Sequence, residues 1–160
     1  MSDYQERAPI VGIVLGSASD TPIMQTAEVI LERFGVPFES NVISPHRQPD
    51  QAHEYGRLAE DRGLELIIAA SSRAAHLAAV MAANTVLPVI GVPIFAGHLG
   101  GADALYSTVQ MPAGVPVATV GIDQATNAAV LAVQILACTH PDLRDKLHTF
   151  KKELAQGLKI

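Results

Sequence analysis

Residues 10–20 read IVGIVLGSASD, an apolar run that ends in small polar residues. The run at 10–15 has the length and the uniform hydrophobicity of a strand buried on both faces. The helical segment that follows has Asp20 as a candidate cap, Pro22 in its first turn and Gly35 after its end. A buried strand, a loop and an amphipathic helix begin a parallel βαβ unit, which predicts an α/β fold.

The same alternation continues along the chain. Further strands are predicted at residues 38–43, 64–70, 89–92 and 115–122, and helices at about 50–62, 74–84, 124–138 and 141–156. A glycine-rich loop, AGHLGGAD, follows the fourth strand. No repeat or linker interrupts the pattern. We therefore expect one domain over residues 1–160, a doubly wound parallel sheet of five strands with an extra C-terminal helix.

Composition excludes several classes of protein. Hydrophobic residues make up 49% of the chain and aromatic residues 4%, which favours an aliphatic core between helices and a parallel sheet. A net charge of −5 argues against a nucleic-acid surface. The single Cys138 permits neither an internal disulfide nor a cysteine-based metal motif. No apolar stretch is long enough to span a membrane and the amino terminus has no apolar signal region, so a soluble cytoplasmic protein is expected.

The middle of the chain is poor in charge. From residue 66 to residue 121 the only charged side chains are Arg73 and Asp103. An ordinary α/β core explains part of this, but a monomer needs polar groups over much of its surface. We therefore expect a homo-oligomer that buries this charge-poor block (residues 66–121). The last helix, predicted to pack on a neighbouring subunit, has a narrow apolar seam of Leu143, Leu147, Phe150, Leu154 and Leu158.

The first loop after a strand, GSASD, is a candidate phosphate site. Ser17 and Ser19 supply hydroxyl donors, and the start of the following helix attracts an anion. Asp20 can cap that helix or accept hydrogen bonds from a ribose. The loop lacks the glycine fingerprint of dinucleotide sites and the lysine of a P-loop. Taken alone, the loop is better explained as a capped strand-to-helix turn.

The second loop, SPHRQP at residues 44–49, holds a histidine and an arginine between two prolines. Ser44 begins the loop, His46 can transfer protons near neutral pH, and Arg47 can bind a phosphate through two nitrogens. With the strand order 2-1-3-4-5, this loop lies beside GSASD. The two loops together then form a phosphate site next to a proton carrier, although a lone exposed histidine or arginine is more often a solvated surface residue.

The third loop lies in AASSRAAHLAAV, residues 69–80. Ser71 and Ser72 can cap a helix or donate hydrogen bonds, and Arg73 is expected to pair with Asp103 or with a carboxylated ligand. His76 is either a second proton carrier or a structural histidine.

The remaining loop and histidines add less. The loop at 95–116 combines glycines with aliphatic residues that can exclude water from a small ligand. His53, His140 and His148 have the spacing of helix-surface residues, and no cluster has metal-like spacing.

These motifs together resemble the phosphoribosylaminoimidazole carboxylase catalytic subunit (PurE) family of purine biosynthesis. GSASD is similar to the family's GSxSD, SPHRQPD to its SAHRTPD, and AAHL to part of its third loop. LPVIGVPI, ALYSTVQMPAGVPVATVGI and NAAVLAVQILA continue the likeness over nearly the whole chain. The resemblance implies a flavodoxin-like three-layer αβα fold and a homo-octamer with sites at subunit contacts.

The resemblance also implies an activity, that of the bacterial N5-carboxyaminoimidazole ribonucleotide mutases. Ser17, Asp20 and Arg47 would hold the ribose phosphate of the nucleotide, and His46 would be the general acid and base. No cofactor or metal would be needed. An ATP-dependent N5-carboxyaminoimidazole ribonucleotide synthase would be a functional partner.

The chain departs from the family pattern in the third loop. The family's GAGGAAHLPGM is replaced by ASSRAAHLAAV, so that glycines are lost and Arg73 is gained. Pro45 replaces an alanine beside His46. A direct carboxylase branch of the family has an arginine-serine pair in the third loop but a lysine where this chain has Arg47. The alternatives are a paralogue that carboxylates or decarboxylates aminoimidazole ribonucleotide or a related azole or pyridine nucleotide, and a non-catalytic flavodoxin-like nucleotide-binding module.

Overall fold

A computed structural model describes residues 8–160. Its parallel sheet has five strands in the order β2-β1-β3-β4-β5, as predicted. The strands are β1 (Val11–Leu15), β2 (Phe38–Val42), β3 (Leu66–Ser72), β4 (Val89–Ile94) and β5 (Ala118–Thr119). The helices are α1 (Thr21–Phe34), α2 (Pro49–Leu58), α3 (Leu77–Asn84), α4 (Ala102–Val109), α5 (Ala125–Leu136) and α6 (Pro141–Ala155). The amino-terminal residues 1–7, where no signal region was predicted, lie outside the described residues.

Helices cover both faces of the sheet, which confirms the three-layer architecture. Ile13 of β1 belongs to the apolar cluster that α1, α5 and α6 form on one face. Val14 belongs to the cluster formed with α2 and α3 on the other. Because both faces of β1 are covered, each of its residues is buried and the strand has no polar side.

The first helix follows its sequence signals closely. Pro22 lies in the first turn of α1, and Gly35 ends the helix with a φ of 76°, a left-handed conformation that glycine adopts without strain. Asp20 is at the capping position but its side chain makes no capping hydrogen bond. The position predicted for Asp20 is therefore right, and the capping bond is not formed.

The region after β4 differs most from the prediction. The sequence placed residues 95–116 in a loop, but Ala102–Val109 form helix α4. Its inward residues pack on β4, where a Cβ atom at Gly91 would lie 2.3 Å from Cγ2 of Thr108. The absence of a side chain at Gly91 thus lets a short helix lie directly on the sheet.

The fifth strand is much shorter than predicted. Residues 115–122 were expected to form it, but only Ala118 and Thr119 pair with β4. Pro116 has no N–H group to donate to a neighbouring strand, which limits pairing at this edge of the sheet.

Four boundaries of β3 and its neighbouring helices also differ. β3 begins at Leu66 and continues through Ser72, so Ser71 and Ser72 lie in a strand and do not cap a helix. The helix expected at 74–84 starts at Leu77, and the helix expected at 50–62 ends at Leu58.

The apolar seam of α6 is covered within the chain. Phe150 is 2% exposed and its ring lies 5.2 Å from that of Phe34, edge to face. Lys146 Nζ donates to the carbonyl oxygen of Phe34 at 2.7 Å, and Arg33 pairs with Glu153 at 2.5 Å. Contact of α6 with a neighbouring subunit stays a prediction.

The charge-poor block exposes large apolar side chains. They are Val86 (82% exposed), Phe95 (59%), Leu99 (67%), Tyr106 (63%) and Val109 (47%). Large apolar side chains exposed in this number favour a contact surface within the block. Within residues 8–160, no helix combines the length and apolarity that crossing a bilayer requires.

Candidate functional site

The carboxyl ends of β1, β2 and β3 meet at one edge of the sheet. Leu15 lies opposite Val42 on one side and opposite Ala70 on the other. The three loops that leave these strands therefore converge, as the strand order predicted. They enclose a cavity of about 370 Å³ lined by Gly16, Ser17, Asp20, Ser44, Pro45, His46, Arg47, Ser71, Ser72, Arg73 and Ala74.

The first loop is held tightly against β3. Gly16 donates its N–H to the carbonyl oxygen of Ala70 at 2.9 Å, and a Cβ atom at Gly16 would lie 2.9 Å from Oγ of Ser71. Ser17 Oγ accepts hydrogen bonds from Ser19 N at 3.3 Å and from Ser19 Oγ at 2.9 Å. Ser17 thus lines the cavity, whereas Ser19 lies outside the lining and braces it.

Asp20 is a buried carboxylate with spare acceptor capacity. It is 2% exposed, and among the described residues its Oδ2 atom has no hydrogen-bond partner. Burial raises its pKa, an effect opposed by hydrogen bonds from Ser19 and Ser17. A buried acceptor without a donor is costly, so ligand hydroxyl groups that donate to Asp20 would be strongly favoured here.

The second loop places the two predicted functional side chains at the cavity mouth. Ser44 and Pro45 are buried, whereas His46 and Arg47 are exposed on the turn that follows. Arg47 Nη2 lies 3.5 Å from the carbonyl oxygen of Gly16, so its guanidinium reaches over the first loop. Arg47 and Ser17 line the same cavity, so a cation and a hydroxyl group are both available to an anion there.

The third loop contributes Arg73 in an unusual backbone conformation. Its φ is 57°, in the left-handed region that non-glycine residues rarely occupy. A Cβ atom at Gly97 would lie 3.8 Å from Arg73 Nε, so the arginine side chain lies beside the loop between β4 and α4. Strained residues of this kind concentrate at functional sites.

The predicted pairing of Arg73 with Asp103 is wrong. No ion pair joins them in the part of the chain that the structure describes, and Oδ1 of Asp103 is buried there without a hydrogen-bond partner. Asp103 lies in α4, whose Ser107 instead donates to the carbonyl oxygen of Arg73 at 3.4 Å. Arg73 therefore lines the cavity and has no acidic ion-pair partner among residues 8–160.

His76 contacts the candidate proton carrier directly. Its Nδ1 atom lies 2.8 Å from Nε2 of His46, and the two rings are inclined at 73°. His76 is not among the residues that line the cavity, and its predicted contact with a ligand stays a prediction.

Sequence reasoning missed two residues that shape the site. Gln48 accepts a hydrogen bond from Ser44 N through its Oε1 atom at 3.2 Å. Asp123, with a φ of 57°, accepts one from Phe95 N at 2.8 Å and so anchors the loop after β4. The position of Asp123 directly after a predicted strand was an available signal. The sequence gives no comparable signal for Gln48, because its hydrogen bond to Ser44 depends on the shape of the turn.

The other histidines lie elsewhere. His53 and His148 are exposed on α2 and α6, as predicted. His140 is half-buried instead, with Nε2 2.8 Å from Oε2 of Glu65. Residues 8–160 contain no group of three or more histidine, cysteine, aspartate or glutamate side chains arranged to hold a metal ion.

Comparison with known proteins agrees with this fold. Residues 10–157 match the family described as AIR carboxylase. The chain belongs to that family. It is 54% identical over 146 residues to the N5-carboxyaminoimidazole ribonucleotide mutase of Pyrococcus horikoshii, a match that covers 91% of this chain and 82% of that protein.

Two further relatives of this AIR carboxylase family chain extend the comparison. The N5-carboxyaminoimidazole ribonucleotide mutase of Thermotoga maritima is 49% identical over 146 residues, 91% of this chain and 85% of that protein. The crystal structure of Treponema denticola PurE superposes with a TM-score of 0.82 at 26% identity, covering 92% of each chain.

Proposed function

We propose that this AIR carboxylase family chain is an N5-carboxyaminoimidazole ribonucleotide mutase. It would convert N5-carboxyaminoimidazole ribonucleotide to 4-carboxy-5-aminoimidazole ribonucleotide in purine biosynthesis. The observation that carries the proposal is the convergence of Asp20, His46 and Arg47 on one cavity from separate segments of the chain. The mutases of Pyrococcus horikoshii and Thermotoga maritima, at 54% and 49% identity, support the same activity.

The charges of the cavity suit this substrate. The nucleotide carries a phosphate at one end and a carboxyl group at the other, whereas the chain as a whole has a net charge of −5. The cavity lining nevertheless includes Arg47 and Arg73. Arg47 and Ser17 would bind the phosphate, and Arg73, Ser71 and Ser72 would face the carboxyl group. Asp20 would accept hydrogen bonds from the ribose hydroxyls, which satisfies its unpartnered Oδ2 atom.

The chemistry requires one proton carrier. The carbamate C–N bond of the substrate breaks to give carbon dioxide and aminoimidazole ribonucleotide, and His46 donates a proton to the exocyclic nitrogen. Carbon 4 of the ring then attacks the carbon dioxide held in the cavity. His46 removes the proton that carbon 4 loses, so the histidine is returned to its starting state. Closure of the cavity would keep the carbon dioxide from escaping.

We also propose the surroundings in which this enzyme works. The exposed apolar side chains of the charge-poor block support a homo-oligomer, for which the family resemblance implies an octamer. We place this homo-oligomer in the cytoplasm. An ATP-dependent N5-carboxyaminoimidazole ribonucleotide synthase would supply the substrate.

A second candidate is direct carboxylation of aminoimidazole ribonucleotide. Arg73 favours it, because a cation in the cavity wall can hold bicarbonate or a carboxylate where the family pattern has glycine. The two activities differ in the substrate that is consumed.

An ultraviolet assay of the purified protein tests both. Formation of the carboxylated imidazole nucleotide is followed from freshly generated N5-carboxyaminoimidazole ribonucleotide and, in parallel, from aminoimidazole ribonucleotide with bicarbonate. Fast turnover of the first alone is expected, and His46→Asn should abolish it. Activity with the second alone would establish the direct carboxylase, and activity with neither would leave the binding-module alternative.

A further inference from the structure

The turn that carries His46 and Arg47 is closed by a pair of hydrogen bonds between its two ends. Gln48 N donates to the carbonyl oxygen of Ser44 at 2.8 Å. In return, Ser44 N donates to Oε1 of the Gln48 side chain at 3.2 Å. Both polar groups of the Ser44 backbone are therefore held by a single residue, and the candidate proton carrier lies midway between the two ends.

Other contacts of the turn do not hold its backbone in this way. The 2.8 Å contact between Nε2 of His46 and Nδ1 of His76 orients the imidazole ring but does not involve the backbone of the turn. Pro45 has no N–H group and contributes no hydrogen bond from its backbone nitrogen. The contact from Arg47 Nη2 to the carbonyl oxygen of Gly16 is 3.5 Å long, at the outer limit of a hydrogen bond. Ser44 is 6% exposed, so loss of the Gln48 acceptor would leave its N–H group largely shielded from water. An unpaired buried donor is costly, and the turn would shift to expose it.

The position of Gln48 also links the turn to a rigid element. Its carbonyl oxygen accepts from Ala52 N at 3.0 Å in the first turn of α2, and its Nε2 donates to Oε1 of Gln51 at 2.8 Å. The side chain thus contacts Ser44 on one side and the helix on the other. A shift of the turn relative to α2 would move the imidazole of His46 out of line with the cavity.

We infer that Gln48 is a positioning residue for the reaction, since its Oε1 atom holds the turn that aims His46 and Arg47 into the cavity. This role rests on the proposed mutase function. Gln48 does not line the cavity and touches no reacting atom. Its effect is transmitted through Ser44, and the amide oxygen is the group that matters.

Three variants separate this role from a general effect on the fold. Gln48→Ala removes the acceptor, and we expect kcat to fall about 10-fold because small displacements of a proton carrier slow transfer strongly. Gln48→Glu keeps an oxygen acceptor in the same place; kcat should stay within about 3-fold of the parent value, while KM rises because a carboxylate now repels the anionic substrate. Gln51→Ala removes only the contact to Nε2 and should leave both constants unchanged.

The kinetic constants are measured for the full chain with N5-carboxyaminoimidazole ribonucleotide, and circular dichroism confirms that each variant is folded. If Gln48→Ala keeps the kcat of the parent protein, the positioning role of Gln48 is overturned and the mutase function is not. A loss of kcat of about 10-fold in Gln48→Glu would also overturn the role of the Gln48 amide oxygen. This outcome can be measured even if Gln48→Ala fails to fold. Absence of turnover in the parent protein would instead overturn the mutase function together with this role.

Discussion

Nε2 of His46 lies 2.8 Å from Nδ1 of His76, although the two residues are 30 positions apart in the chain. At this distance one nitrogen must donate a hydrogen and the other must accept it. The contact therefore fixes the ring of His46 in one orientation at the edge of the cavity. His76 is not among the cavity-lining residues, and its direct contact with a substrate stays a prediction.

The two histidines should accordingly differ in importance. We expect His46→Asn to lower kcat by about 10³-fold, since loss of a general acid and base typically costs about 10² to 10⁴. His76→Asn keeps a polar partner for His46 and should lower kcat by about 10-fold or less. Single-turnover rates of the two variants provide the measurement. Equal losses would mean that His76 also transfers a proton.

Arg73→Gly should separate substrate binding from stability. Glycine relieves the left-handed backbone at a φ of 57°, so the melting temperature should not fall. Loss of a charge-assisted contact to the carboxyl group should raise KM about 10-fold. Arg73→Lys keeps the charge and the strain, and serves as the control. An unchanged KM in Arg73→Gly would show that the guanidinium does not contact the carboxyl group.

Asp20 should stabilise the ligand complex and destabilise the free protein. Burial raises its folded-state pKa, so the native state holds the proton more tightly than the unfolded state. The free energy of unfolding therefore falls as the pH rises from the ordinary carboxyl pKa through the raised value, and it stays low above that.

Asp20→Asn removes this cost, because a neutral amide is buried without the desolvation of a charge. The melting temperature of the variant at neutral pH should rise by about 2–4 °C, while nucleotide affinity falls. The gain should shrink as the pH falls toward the ordinary carboxyl pKa, because the raised pKa of Asp20 lets the parental carboxyl take up its proton at a higher pH than an ordinary carboxyl. Asp61→Asn, at an exposed position, is the control and should change neither property. A variant less stable than the parent at neutral pH would contradict the argument.

Gly12 and Tyr55 should be energetically coupled. A Cβ atom at Gly12 would lie 2.3 Å from the Tyr55 hydroxyl oxygen and 3.0 Å from Cδ1 of Leu64, so Gly12→Ala should cost about 2–3 kcal/mol. That hydroxyl donates to Oε1 of Glu39 at 2.7 Å, and Tyr55→Phe alone should cost about 1 kcal/mol.

The double variant removes the closest clash and should be less destabilised than the sum of the two single changes. Urea unfolding of the parent and the three variants measures the coupling. Strict additivity would mean that the backbone at Gly12 moves away from Tyr55 when alanine is introduced.

The exposed face of α4 should be a subunit contact. Tyr106 is 63% exposed in the charge-poor block, and Tyr106→Glu would bury a charge in any interface there. We expect a smaller assembly by light scattering after size-exclusion chromatography. The matched control is Val29→Glu, because Val29 is 60% exposed on α1 outside the charge-poor block. This variant should keep the mass of the parent assembly. An unchanged mass in both variants would exclude this face of α4 from the interface.

The sequence by itself determined most of the architecture. The uniformly apolar run at 10–15 predicted a strand buried on both faces, and β1 is buried throughout its length. Gly35 correctly marked the end of α1. These features are readable because burial and helix termination leave their pattern in neighbouring residues. The helix α4 was missed because the glycines at 97, 100 and 101 directly before it are typical of a loop, and only the space over Gly91 shows that a helix fits there.

Tertiary structure alone decided the details of the site. The loops carrying His46 and His76 were expected at one edge of the sheet, but their direct contact depends on where each turn ends in space. The same holds for Arg73, which shares the charge-poor block with Asp103 and yet makes no ion pair with it among residues 8–160. The position of a residue in the sequence determines which strand its loop follows. The distance and direction of its side chain depend on backbone angles such as the left-handed φ of Arg73, and on packing between segments far apart in the chain.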